Sequence, residues 1–186
     1  MSTARRYRHT YGEYLQLEKA SPLKLEYSDG EIFAMAGGTP EHGALAIQFV
    51  RLVSTSLPRE CTVYSSDVKI RVAATDLATY PDISIVCGPT ERAIDDANAV
   101  INPRFLIEVT SPSTEEYDRG DKVSQYKQLR SVEAVLLISH RRRQVTVVSR
   151  NGPSWSEREV RAGELVELEG IAFGVTDLYS VVEIGG

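Results

Sequence analysis

Two carboxylates and one amine stand out in this sequence because of what surrounds them. Asp82 opens the run Pro81-Asp-Ile-Ser-Ile-Val-Cys87, and Glu108 lies inside Arg104-Phe-Leu-Ile-Glu-Val-Thr110. A carboxylate among core-forming residues is costly unless something neutralises it. Taken alone, each acid reads as an outward-facing residue on an amphipathic strand, or as a turn cap. Taken together, and if their strands are neighbours, they make a divalent-cation site a competing reading. Two carboxylates with hard oxygen donors suit Mg2+, with Mn2+ as the alternative. The amine is Lys122, in Asp118-Arg-Gly-Asp-Lys122, four residues from Tyr126 and on the same face of an expected helix. By itself Lys122 reads as a solvated charge and Asp118 as a helix cap.

Around these residues the sequence predicts a mixed sheet with helices packed on it. Thr10-Tyr-Gly-Glu13 has the form of a capping box, so a helix starts near residue 11. Leu23–Tyr27 alternates with period two, Ser28-Asp29-Gly30 is a turn signal, and Glu31–Met35 resumes an apolar run, which together predict a β-hairpin. Thr39-Pro40 looks like an N-cap with proline at the first helical position, opening a helix expected to run to about Leu57. Thr62–Val72, Pro81–Cys87 and Arg104–Thr110 read as strands, and Asp118 to about Arg130 as a helix. Ala134–Ile138 is apolar enough for a strand buried on both faces, with Gln144–Ser149 as its hairpin partner. The remainder, Trp155–Ile184, reads as short strands broken by Gly163, Gly170 and Gly174.

The bulk properties narrow the class. The 186 residues suit one domain with a flexible arm over residues 1–9, and 42% hydrophobic with 25% charged residues is ordinary for a globular protein. No run approaches the ~20 apolar residues of a membrane span, and the N-terminus lacks the apolar segment of a signal peptide, so a cytoplasmic location is expected. Cys61 and Cys87 sit in no CxxC motif or zinc spacing and read as buried free thiols. The net charge of −5 disfavours a protein living on tight, non-specific duplex binding. Basic residues gather at Arg5, Arg6 and Arg8 and at Arg141–Arg143, each cluster reading as a solvated tail or face.

Three stretches carry a family resemblance: Tyr80-Pro-Asp-Ile-Ser-Ile-Val, then Phe105-Leu-Ile-Glu-Val-Thr-Ser-Pro-Ser-Thr114, then Asp118-Arg-Gly-Asp-Lys122 with Tyr126. They resemble the Uma2 (DUF820) family of restriction endonuclease-like proteins, in the PD-(D/E)XK nuclease superfamily. Glu26, Asp29-Gly30, Met35 and His42 fit the same pattern, and the match extends over roughly residues 11–180. The resemblance implies an αβββαβ core, here with an N-terminal hairpin and a strand-rich C-terminal extension. It implies a Mg2+-dependent endonuclease acting on DNA, with Asp82 and Glu108 as metal ligands and the Val109 carbonyl as a third. Thr110 occupies the place where the superfamily motif carries its lysine, and Lys122 on the following helix takes that role, orienting the attacking water.

Secondary candidates follow. Glu26 and His42 complete the pocket or serve structure; His42 reads first as structural, with a second metal or a phosphate as alternatives. Tyr126 packs against the site wall. Asp67 and Lys69 read as a surface pair rather than as cleft lining, and Trp155 as a core or edge-strand residue rather than a base-stacking platform. A non-catalytic nucleic-acid- or protein-binding module on the same fold is the alternative function. A homodimer is compatible with either, and would let two sites face two DNA strands.

Overall fold

The computed structural model describes residues 7–35, 37–111 and 115–184. Arg5 and Arg6 of the first basic cluster, and Pro112, Ser113 and Thr114 of the strand-end motif, lie outside the described residues. Of the N-terminal arm, Arg8 pairs with Asp29 at 2.6 Å and the His9 amide donates to the Gly30 carbonyl at 2.9 Å.

Helix α1 (Tyr11–Ala20) begins with the expected capping box: the Glu13 amide donates to Thr10 Oγ1 at 3.2 Å and the Thr10 amide to Glu13 Oε2 at 2.7 Å. Strands β1 (Leu25–Ser28) and β2 (Glu31–Ala34) form the hairpin, with Ser28 facing Glu31. Its two-residue loop holds Asp29 at φ 45° and Gly30 at φ 86°, the positive values that match the twist of the flanking strands. Helix α2 (Pro40–Val53) is capped by Thr39. It stops short of the expected Leu57 because the Ser54 and Ser56 hydroxyls donate back to the carbonyls of Arg51 and Val53, competing with helix continuation.

The single strand expected over Thr62–Val72 is two strands, β3 (Cys61–Ser65) and β4 (Lys69–Val72). Ser65 breaks it: its carbonyl accepts the Val68 amide at 3.1 Å, turning the chain out of one sheet and into another. Next come β5 (Leu77–Thr79), β6 (Ile83–Cys87), β7 (Ala99–Val100) and β8 (Phe105–Val109). An unbroken helical segment follows: α3 (Glu115–Tyr117), a π-helical stretch (Asp118–Lys122) and α4 (Val123–Tyr126). It starts earlier and ends earlier than expected. Arg150 explains the end, since its guanidinium donates to the carbonyls of Lys127, Leu129 and Val132 and draws them out of a helical ladder. The C-terminal part comprises β9 (Ala134–Ile138), β10 (Gln144–Asn151), β11 (Ser154–Arg161), β12 (Leu165–Leu168) and β13 (Ile171–Gly174). It then closes with helix α5 (Val175–Leu178) and a 3-10 turn (Tyr179–Val181), which the strand reading of this region did not anticipate.

The fold is mixed α/β. One sheet has the order β11-β10-β9-β8-β6-β3 and a second the order β2-β1-β5-β4-β7. The expected αβββαβ core is present as α2, β3, β6, β8, the α3–α4 segment and β9. Strands β8 and β9 are parallel; the other pairs in the first sheet are antiparallel. Alternation along its strands divides the core. Ile83, Ile85, Phe105, Ile107, Leu136 and Ile138 face α2 and α5. Leu106, Val135 and Leu137 face α4 and the second sheet's Ile70, Val72 and Leu77. Glu108 shares the parity of Leu106 and so points to this second side.

Cys61 and Cys87 are not free thiols. Strand register puts them directly opposite each other across β3 and β6, Cα atoms 3.9 Å apart, and they form a disulfide. Their separation of 26 residues in sequence carries no sign of that register.

Candidate functional site

The two sheets meet where β5 hands over to β6, through Tyr80-Pro81-Asp82. Ile83 pairs with Ile107 and Ser84 with Leu106, so the same register continued by one residue sets Asp82 opposite Glu108. The structure therefore brings the two acids to facing positions on adjacent strands. Asp82 Oδ2 accepts the Val109 amide at 2.7 Å, which fixes the carboxylate against the end of β8. His42, in the first turn of α2, reaches the same oxygen through Nε2 at 3.1 Å. That hydrogen bond raises the His42 pKa above 6.5, with burial opposing and the nearby Glu108 and Val109 backbone adding to it.

Glu108 is 4% exposed, within a strand buried along its whole length. Its partners come from the helical segment: Lys122 Nζ lies 3.0 Å from Glu108 Oε1, and the Tyr126 hydroxyl donates to the same atom at 2.6 Å. The i, i+4 spacing of Lys122 and Tyr126 delivers both to one carboxylate, so Tyr126 donates a hydrogen bond to Glu108 as well as packing at the site wall. Burial pushes the Glu108 carboxyl from 4.5 up to about 8 against the pull of Lys122, with Asp82 and Asp118 adding to the rise. Burial would lower Lys122, but Glu108, Glu26 and Asp118 outweigh it and hold the ammonium protonated well above 10.5. Burial and the adjacent Glu108 also raise Tyr126, which keeps its proton and its role as donor.

Glu26 enters from the second sheet. On β1 it stands beside the end of β5, where its Oε1 accepts the Thr79 hydroxyl and, at 3.3 Å, the Tyr80 amide. The same oxygen lies 3.6 Å from Lys122 Nζ. All six sequence candidates thus converge: Asp82 and His42 on one side, Glu108, Lys122 and Tyr126 in the middle, and Glu26 beyond. Two contributors were not foreseen. Asp118, read as a cap, is buried with Oδ1 3.8 Å from Lys122; its i, i+4 spacing was the available signal. Thr79, which anchors Glu26, had no signal in the sequence.

Asp67 and Lys69 are not a surface pair. Asp67 binds Lys24 at 2.5 Å, whereas Lys69 is buried between Glu18 at 2.5 Å and Asp96 at 2.8 Å. Both strand position and helix α1 cause this: β4 is covered by α1, which brings Glu18. A cavity of about 790 Å³ opens beside this cluster, lined by Tyr64, Tyr80 and Arg92 among others, and not over the Asp82–Glu108 pair. Trp155 lies half-buried on the edge strand β11 with the Arg150 guanidinium 4.4 Å from its ring centre.

Among the described residues, no group of three or more His, Cys, Asp and Glu side chains is assembled to hold a metal ion. The donors nonetheless fit a hard cation that takes one or two carboxylates and keeps several waters. Among the described residues, the Val109 amide and His42 meet Asp82 at Oδ2, and Lys122 and Tyr126 meet Glu108 at Oε1, one oxygen of each acid. Asp82, Glu108, Glu26 and Asp118 gather four carboxyl groups around Lys122 and His42, and a cation added there would favour the ionised form of Glu108. Among the described residues, no helix is long and apolar enough to cross a membrane.

Comparison with known proteins addresses the fold and the family of the chain. A protein of Synechocystis sp. named "Uncharacterized protein slr1290" is 33% identical over 171 residues, covering 90% of this chain and 89% of that protein. A second from the same organism, "Uncharacterized protein sll1609", is 29% identical over 130 residues, covering 69% and 73%. A crystal structure described as "a putative nuclease belonging to DUF820" from Anabaena variabilis superposes with a TM-score of 0.74 at 19% identity, covering 91% of this chain and 96% of that one, which establishes a shared fold. Residues 11–180 match the family described as "Uma2: Putative restriction endonuclease", and the chain belongs to that family.

Proposed function

We propose that the protein is a divalent-metal-dependent endonuclease hydrolysing DNA phosphodiester bonds. The observation that carries this reading is the facing of Asp82 and Glu108 across β6 and β8, with the Lys122 amine 3.0 Å from Glu108. Asp82 Oδ1, Glu108 Oε2 and the Val109 carbonyl would hold Mg2+, or Mn2+ in its place. When bound, such a cation polarises a phosphoryl oxygen and lowers the pKa of a coordinated water.

The chain's own residues do the rest. Lys122 stays charged, so it orients the attacking water as a donor and stabilises negative charge developing on the phosphate. Glu108, Glu26 and Asp118 keep its amine aimed at the site. Tyr126 fixes the Glu108 rotamer, and His42 with the Val109 amide fixes Asp82. The lysine missing from the Thr110 position is replaced in space rather than in sequence. A two-fold homodimer would present two such sites to the two strands of a duplex.

The test is nicking of supercoiled plasmid in Mg2+ by the wild type and by Asp82→Asn, Glu108→Gln and Lys122→Met. Loss in all three variants is expected; equal activity in all four proteins overturns the assignment. A second reading, a nuclease fold that binds without cutting, draws support from the occupation of Glu108 Oε1 by Lys122 and Tyr126. Calorimetry separates the two, since that reading requires no carboxylate-dependent Mg2+ or Mn2+ binding at millimolar metal.

A further inference from the structure

We propose that the loop joining β9 to β10, Ser139–Arg143, is a preformed phosphate-binding arm that grips the DNA backbone beside the site; the choice of DNA rests on the nuclease reading above. Four observations support it. The first is topological. Strands β8 and β9 are parallel, with Val109 beside Ile138, so the loop leaves the sheet at the same edge as Glu108–Thr110. One strand spacing, about 4.8 Å, separates the two strands there.

The second is the loop's order. Ser139 Oγ accepts the amides of Arg141 at 3.2 Å and Arg142 at 3.3 Å. The Arg143 carbonyl accepts the Ala162 amide at 3.1 Å. The buried Tyr179 hydroxyl lies 2.7 Å from both the Ser139 and the Gln144 carbonyls, clamping the loop's base. A loop already fixed loses little entropy when it binds.

The third is its connection to the site. His140 Nδ1 lies 3.1 Å from Thr110 Oγ1, and Thr110 is two residues beyond Glu108 on the same side of β8. Arg141 Nε lies 3.2 Å from Glu115 at the start of the helical segment that carries Lys122, and donates to His140 Nε2 at 3.1 Å. His140 and Arg141 therefore tie the arm to both elements that supply Glu108 and Lys122.

The fourth is charge. Arg142 and Arg143 are exposed, and no ion pair among the described residues engages either. In a chain with 26 acidic and 21 basic residues, two adjacent uncommitted guanidinium groups are set out for an external anion. Arginine matches phosphate with paired donors. An overall charge of −5 that weakens non-specific binding makes such a local arm more necessary.

The experiment measures binding of the full chain to a short fluorescent DNA duplex in EDTA, across a salt series, by anisotropy. The double variant R142Q/R143Q is compared with wild type, with R142K/R143K, and with R51Q/R59Q, which removes the same charge elsewhere. Two lost phosphate contacts should make the slope of log K against log salt shallower by about 2, equally for unrelated duplex sequences. The lysine variant should keep most of the slope, and R51Q/R59Q all of it. The inference is overturned if R142Q/R143Q binds as wild type does, if R51Q/R59Q loses as much, or if wild type binds no duplex at low salt. Mg2+-dependent nicking by wild type reads the nuclease assignment separately, because the binding series contains no metal and no hydrolysis.

Discussion

Lys122 Nζ lies 3.0 Å from Glu108 Oε1, joining a π-helical turn to a buried strand one residue from its end, and both side chains are almost wholly out of water. A π-helical turn shifts side chains relative to an ordinary helix, and such turns are common at functional sites. Removing one partner of a buried pair leaves the other uncompensated and costs about 3 kcal/mol or more. Lys122→Met is therefore expected to lose about 3 kcal/mol in urea unfolding at pH 8 without metal. Glu108→Gln added to it should recover much of that loss. On the nuclease reading, the nicking rate of Lys122→Met should fall about 100-fold or more. A single variant as stable as the wild type would show that the pair is not coupled in the folded protein.

Stability should also depend on pH through the same carboxyl group. Burial raises Glu108 from 4.5 to about 8, so over that window the unfolded chain has released a proton that the folded protein still holds. The folded state then binds more protons, and metal-free stability falls as pH rises, at up to about 1.4 kcal/mol per pH unit. His42 acts in the same direction: its pKa is raised, so its contribution is full below 6.5 and is lost as pH climbs through the folded value. Lys122, raised from 10.5, stays charged throughout. Urea titrations from pH 5 to pH 8.5 should show the decline, and Glu108→Gln should flatten it. A wild-type profile that rises across this range would contradict the raised Glu108.

Tyr126 offers a milder perturbation of the same atom. Its hydroxyl donates to Glu108 Oε1 at 2.6 Å with both groups buried. Tyr126→Phe keeps the ring packing and removes one hydrogen bond to a carboxyl group, a loss of about 1.5–3 kcal/mol. Because Tyr126 holds Glu108 without touching substrate in the proposed mechanism, KM for Mg2+ should change more than kcat. Thermal unfolding and a metal titration of the nicking rate check both parts.

Local context in the sequence singled out Asp82 and Glu108, which each interrupt an apolar run. Lys122 and Tyr126 share a helix face, but local context left Lys122 a solvated charge, and only the family resemblance pointed it at the site. What failed was what depends on strand register and on long-range packing. The Cys61–Cys87 disulfide follows from a pairing of β3 with β6 that no local signal specifies. Lys69 looks like any strand lysine until α1 supplies Glu18 and the segment before β7 supplies Asp96. The break at Ser65, which sends β3 and β4 to different sheets, lacks the glycine or proline that usually marks such a turn.

The disulfide should contribute measurably. It closes a loop between residues 26 apart, which by the chain-entropy relation stabilises the folded state by about 3.5 kcal/mol. Urea midpoints with and without a phosphine reductant should differ accordingly, and Cys61→Ser with Cys87→Ser should reproduce the reduced protein. Thiol titration of unfolded, unreduced protein should find no free cysteine. Two titratable thiols would instead support the free-thiol expectation.

The Lys69 cluster gives a prediction of the opposite kind, stability without chemistry. Lys69 bridges Glu18 of α1 and Asp96, while Tyr14 donates to Glu18 and Tyr11 to Asp96. Burial raises the Asp96 carboxyl, but the Lys69 and Asn98 hydrogen bonds outweigh it and hold the group below the usual carboxylate range. Every charged group in the cluster thus has its partner, and its role is to fasten α1 to the second sheet. Lys69→Met leaves the buried Asp96 and the half-buried Glu18 without their shared cation, so it should destabilise by about 3 kcal/mol. Lys69 is paired to neither Asp82 nor Glu108, so nicking per folded molecule, measured well below the unfolding temperature, should stay within about twofold of wild type. A large fall in that rate with stability intact would assign the cluster to the reaction, by way of Tyr80, whose hydroxyl donates to Glu18 two residues before Asp82.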